Sequence, residues 1–112
     1  LKYRSGSSGY ADYYYAEERW VHLLPDGISF DEGALMEPLA CTVHAAMKAR
    51  IQLCDSVCVI GDGPIALLLA QLSLAAGATH VYVLGILKRN LELAEQLDVY
   101  HFRAGLMQYR KY

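Results

Sequence analysis

Ser56-Val57-Cys58-Val59-Ile60, then Gly61-Asp62-Gly63-Pro64-Ile65-Ala66, then an apolar run to Ala76 and Gly77, then His80-Val81-Tyr82-Val83-Leu84 ahead of Gly85: the reading of this stretch decides the fold. Residues 56–60 form a short β-rich run, the length of one buried strand. Two glycines follow at once, where a chain turning from strand into helix uses positive φ and the absence of a Cβ. Pro64 has its φ preset for a first helical turn, in which a missing N–H costs nothing. Residues 65–76 are almost wholly apolar and leucine-rich, which predicts a helix, with Gly77 as its C-terminal cap. Residues 80–84 read as a second buried strand. Strand, glycine turn, helix and strand make one βαβ unit. The fold class is therefore α/β, a partial Rossmann unit in which Ala66 replaces the third glycine of the dinucleotide-binding pattern.

The chemistry expected of that turn is anion binding. Free N–H groups at the helix start, together with the positive end of the helix dipole, point to where a pyrophosphate sits. Gly63 leaves room for a phosphate near the backbone, and a small Ala66 still permits close helix–strand packing. Gly61, Asp62, Gly63, Pro64 and Ile65 are thus candidate cofactor-binding residues. A glycine turn that binds nothing is the competing reading, and the strand before it and helix after it weigh against that. Asp62 lies inside the turn; unless its side chain points away, its charge opposes a pyrophosphate.

Composition limits the alternatives. The 112 residues carry 10 Lys+Arg against 12 Asp+Glu, a net charge of −2 with the signs mixed, so no nucleic-acid surface and no polybasic membrane anchor is indicated. No apolar stretch reaches the length of a spanning helix, and no signal peptide is recognisable. Cys41, Cys54 and Cys58 have no paired spacing and fit reduced thiols, so a cytoplasmic location is expected.

Ahead of the βαβ unit, residues 1–9 read as a polar loop. Tyr10 to Ala16 and Arg19 to Leu24 lean to β structure, each the length of one strand. Pro25-Asp26-Gly27 signals a turn, and Ser29 with Glu32 forms a capping box that predicts a short helix from about Phe30. Pro38 suits the first turn of another helix running to about Arg50. On it, Glu37, Cys41 and His44 are spaced by four and three and share one face. Carboxylate, thiol and imidazole are all zinc ligands, yet one helical face rarely supplies three of them in tetrahedral geometry; a packing face is the stronger reading of the spacing.

The motifs Leu24-Pro25-Asp26-Gly27, Glu37-Pro38-Leu39-Ala40, His44-Ala45, Asp55-Ser56-Val57 and Gly61-Asp62-Gly63-Pro64-Ile65 together resemble the zinc-type medium-chain dehydrogenases, in particular the sorbitol, threonine and related polyol dehydrogenases. The resemblance covers about residues 9–98. It implies a GroES-like catalytic domain followed by a Rossmann coenzyme domain, oxidation of secondary alcohols with NAD or NADP, and a zinc ion that polarises the substrate oxygen. By the resemblance, residues 1–27 are the end of the catalytic domain, 28–52 linker helices, and 53–112 a truncated dinucleotide-binding domain. Glu37 is the carboxylate that closes the zinc site, and Cys41 lies beside the nicotinamide. The family's other zinc ligands and its proton-relay residues have no counterpart here, so no catalytic residue is assigned, and a chain ending after two parallel strands is expected to be inactive alone. The unbroken apolar character of residues 65–76 predicts a homo-oligomer that covers this helix and the open strand edge, or else a poorly folded chain.

Cofactor choice falls at the end of the second strand, where an acid would accept hydrogen bonds from the adenosine ribose and favour NAD. Gly85 stands there instead, with Lys88 and Arg89 close behind, a pattern that favours NADP. The two cations read equally well as the solvated start of a helix from Lys88 to about Leu97. Cys54 and Asp98 stand where the family usually has glycine, and from Tyr100 onward the sequence leaves the family pattern.

Overall fold

A computed structural model of the protein describes residues 12–104. The chain divides into two compact units, Leu1–Gly33 and Ala34–Tyr112.

In the first unit, the described residues hold a 3-10 turn at Glu18–Trp20 and a one-turn helix α1 (Phe30–Gly33). Arg19 pairs with Glu17 at 2.7 Å and lies 5.3 Å from the centre of the Trp20 ring. The expected capping box forms. Ser29 Oγ accepts from the Glu32 amide at 3.2 Å, and Glu32 Oε2 accepts from the Ser29 amide at 2.8 Å. The Ser29 hydroxyl also donates to Glu32 Oε2 at 2.7 Å, and this bond, followed by that of the Ser29 amide, holds the Glu32 carboxyl below its ordinary pKa. The two strands expected over residues 10–16 and 19–24 do not form among the described residues. A β-leaning run becomes a strand only when another strand takes up its amides and carbonyls. None does so here, and Tyr13 and Leu23 remain 95% and 93% exposed.

The second unit is the α/β body. Helix α2 (Met36–Ala49) leads to strand β1 (Ser56–Ile60), helix α3 (Pro64–Ala75), strand β2 (His80–Gly85), helix α4 (Lys88–Glu95) and strand β3 (Tyr100–Arg103). The strands are parallel in the order β1-β2-β3, with Val57 opposite Val81, Val59 opposite Val83, and Val83 opposite His101. A third strand corrects the expectation of two. Its sequence alternates, with Tyr100 and Phe102 exposed, and that short period-2 pattern is enough once β2 offers an edge.

Parallel strands need a crossover, and α3 and α4 supply it on one face of the sheet. Val59, Val81 and Val83 meet Ala70, Leu91 and Ala94 there in a single core, with Leu67, Leu69 and Leu74 packed against it. Helix α2 packs on α3 from the side away from the sheet. That explains why α3 is apolar nearly all round: Ala70 and Ser73 are fully buried, and the Ser73 hydroxyl bonds back to Leu69 O at 2.7 Å. The helix ends as Gly77 predicts. With φ +100, its amide donates to Leu74 O at 2.9 Å and that of Ala78 to Ser73 O at 3.1 Å, the Schellman pattern.

The opposite sheet face, carrying Cys58, Ile60, Tyr82, Tyr100 and Phe102, is covered by no element among the described residues. Ile60 is 83% exposed. His80, Tyr82 and Tyr100 stack across this face, the two tyrosine rings 5.2 Å apart.

Both departures from family glycine carry a backbone consequence. Cys54 has φ +70 and Asp98 φ +55, the left-handed region that costs a side chain about 1–2 kcal/mol. Both side chains are exposed, so little packing offsets the strain. Cys54→Gly and Asp98→Gly are each expected to stabilise the chain by about 0.5–1 kcal/mol, less at Asp98 because aspartate tolerates this region better. Urea unfolding midpoints measure it, and unchanged or lowered midpoints would show that no strain resides there.

Candidate dinucleotide-binding site

The glycine turn sits at the carboxyl ends of the parallel strands. Gly61 has φ +131, which reserves the position for glycine, and its amide donates to Leu84 O at 2.8 Å, tying the turn to the end of β2. Gly63 adopts ordinary extended backbone, and a Cβ built there would meet nothing within 4 Å. Pro64 is the first helical residue, as its fixed φ predicts. The first intrahelical bond runs from the Leu67 amide to Gly63 O at 3.0 Å, and the amides of Ile65 and Ala66 have no hydrogen-bond partner among the described residues. Unpaired amides at a helix start beside open space over a glycine are what a pyrophosphate needs. The residues present fit a dinucleotide.

Asp62 does point away from that space. It is 8% exposed, and its Oδ2 accepts from the Ile86 amide at 2.7 Å and the Leu87 amide at 2.6 Å, at the start of α4. Bonding by Leu87 is the main reason its carboxyl sits below the ordinary aspartate pKa; Ile86 and Asn90 add to it, while burial opposes. Gly85 is locked into the same contact. A Cβ at position 85 would lie 2.5 Å from Asp62 Cβ and 2.6 Å from its Oδ2, so no side chain fits. Asp62 and Gly85, separated by a helix in sequence, are thus brought together. The roles of the Ile86 and Leu87 amides had no signal in the sequence.

The remaining candidates are more scattered. Lys88 Nζ pairs with Glu92 Oε1 at 3.5 Å on the surface of α4, and Arg89 is exposed in the same helical turn. Glu37 and Cys41 meet each other, with Cys41 Sγ 3.6 Å from Glu37 Oε1. The neighbouring carboxylate, with lesser help from desolvation, pushes the thiol pKa up, so Cys41 is a poorer nucleophile than a free cysteine. Cys41 and His44 are exposed, which corrects the packing reading of this helix face. Among the described residues no group of three or more His, Cys, Asp or Glu could hold a metal ion. Among the described residues Glu37 has only Cys41 beside it, fewer than the three protein ligands a catalytic zinc takes.

Strand, glycine turn, helix and parallel strand define a partial Rossmann-type α/β unit. No known family model matches the chain. It is 35% identical over 92 residues to (R,R)-butanediol dehydrogenase of Bacillus subtilis, covering 82% of this chain and 27% of that protein. In structure it matches galactitol-1-phosphate dehydrogenase of Escherichia coli with a TM-score of 0.79 and 31% identity, over 88% of this chain and 29% of the other. A protein of Sinorhizobium meliloti described as a zinc-binding dehydrogenase, bound to NADP, matches with a TM-score of 0.62 and 35% identity, over 63% and 21%. The chain is thus related in sequence and fold to the zinc-type medium-chain polyol and alcohol dehydrogenases. It spans about a quarter of the length of the curated relatives it matches.

Two outcomes test the site. Gly63→Ala should leave stability within about 0.5 kcal/mol, because its Cβ meets no protein atom, yet weaken dinucleotide binding about tenfold or more by filling the phosphate space. Thermal melting and a fluorescence titration read the two effects separately, and unaltered binding would move the phosphate elsewhere. The second concerns acid. The folded pKa of Asp62 is lowered, so its contribution is complete above the ordinary aspartate value near about pH 4 and is lost as pH falls through the lowered value. Wild type should lose stability relative to Asp62→Asn across that window; parallel acid-unfolding curves would contradict the assignment.

Proposed function

We propose that this chain is the coenzyme-binding part of an NAD(P)-dependent zinc-type alcohol or polyol dehydrogenase, an oxidoreductase passing hydride between a secondary alcohol and nicotinamide. The observation that carries the reading is the turn itself: unpaired Ile65 and Ala66 amides facing open space at Gly63. Those amides hold the pyrophosphate, and Gly61 keeps the turn close to β2. The bound nicotinamide supplies the hydride acceptor. In this reading residues 1–27 belong to the substrate-side domain, 28–52 link it, and 53–112 form the coenzyme domain, with Cys41 near the nicotinamide and Glu37 contributing to a zinc site completed by residues outside this chain. Gly85 with Lys88 and Arg89 supports NADP, which the Sinorhizobium meliloti neighbour holds; the Asp62 carboxylate stands against it.

Location and assembly follow from the surface. No helix among the described residues is long and apolar enough to cross a membrane, and all three cysteines are exposed and unpaired, which supports a cytoplasmic protein. The open face around Ile60, Tyr82 and Phe102 supports self-association. The same face favours a second reading, a non-catalytic nucleotide-binding or interaction remnant.

The purified 112-residue chain separates the readings. It is expected to bind NADH or NADPH saturably, to sediment as a dimer or larger, and not to reduce NAD(P) with polyols even when zinc is added. Absence of nucleotide binding would leave only the interaction module. A sharp monomer with cooperative melting would remove the self-association.

A further inference from the structure

We propose that Asp62 selects the cofactor, excluding the 2′-phosphate of NADP(H) so that the site takes NAD(H). The inference rests on the nucleotide reading above. A dinucleotide seated on this turn directs its adenosine ribose to the carboxyl end of the second strand, where an acid ordinarily stands on the strand itself. Here that position is Gly85, which by sequence alone is an open invitation to a phosphate. The space is filled, however, by a carboxylate delivered from the neighbouring turn: Asp62 Cβ and Oδ2 lie 2.5 and 2.6 Å from where a Cβ at position 85 would be. The acid has moved from the strand end to the glycine turn, and the glycine at the strand end is its necessary counterpart.

Three consequences act in one direction. The Ile86 and Leu87 amides, the natural donors to an anion at the start of α4, are both taken by Asp62 Oδ2, at 2.7 and 2.6 Å. A phosphate approaching Gly85 meets a buried carboxylate with little intervening water, where like charges repel most strongly. Of the nearby cations, Lys88 is already paired with Glu92 at 3.5 Å, leaving Arg89 as the other positive charge in the first turn of α4. One exposed guanidinium does not replace two lost backbone donors and a buried opposing charge. The ribose hydroxyls of NAD(H), being neutral, meet no such opposition, and a carboxylate is their usual acceptor.

Equilibrium titration of the full chain with NADH and NADPH tests this, with 5′-ADP and 2′,5′-ADP as competitors that isolate the 2′ position. Wild type is expected to bind NADH at least tenfold more tightly than NADPH, and 5′-ADP more tightly than 2′,5′-ADP. Asp62→Asn keeps the shape and removes the charge; it should narrow that ratio about tenfold, chiefly by improving NADPH. Equal or tighter binding of NADPH by wild type overturns the proposal, as does an unchanged ratio in Asp62→Asn. Failure of every nucleotide to bind would instead overturn the underlying site, so the two failures are distinguishable.

Discussion

Two parallel strands cannot be joined by a tight turn, and this constraint governs the whole α/β body. The chain leaving Ile60 must climb over one face of the sheet and return to start β2 at the same end as β1. Helix α3 makes that journey, and everything else is arranged to bury it. The valines of β1 and β2 take its underside, α2 takes its back, and Gly77 stops it in time for Thr79 to reach Asp55 O at 2.9 Å and begin the second strand. The same journey forces a sharp departure from β1, which only glycine at Gly61 can make, and that departure leaves helix amides unpaired at the carboxyl edge of the sheet. A phosphate-ready site is therefore a by-product of the crossover rather than an addition to it.

What the sequence made legible follows from how local each signal is. The bounds of β1 and α3 are written in adjacent residues: valine alternation, a glycine pair, a proline at the first helical turn and a glycine past the last. The Ser29–Glu32 box needs only three residues and forms as read. The strands expected over residues 10–16 and 19–24 needed partners, which propensity does not supply, and among the described residues they are absent. Strand β3 shows the reverse case: an unpromising Tyr-His-Phe-Arg becomes a strand because β2 presents an edge.

The candidate site divides along the same line. Gly61, Gly63 and Pro64 could be read from their order alone, since each answers a backbone demand of the turn. The direction of the Asp62 side chain could not, because its partners are the amides of Ile86 and Leu87, on the far side of a helix and a strand. Gly85 looked like a vacancy in the sequence and is an accommodation in three dimensions. Glu37, Cys41 and His44 show how weak helical spacing is as a metal signal: the side chains of two of them meet, and the imidazole of the third makes no hydrogen bond among the described residues.

The row of rings on the open sheet face has a bearing on fidelity of pairing. Nothing among the described residues seals that face, so hydrophobic burial there cannot by itself tell one alignment of β3 from the next. Tyr100 lies over Tyr82, and Phe102 is 6.1 Å from the same ring, tilted. Sliding β3 by a single residue would carry both rings to the helix side and bring His101 and Arg103 out in their place. The stacked aromatics thus act as a vernier, setting the last strand to the one position in which every ring finds a neighbour.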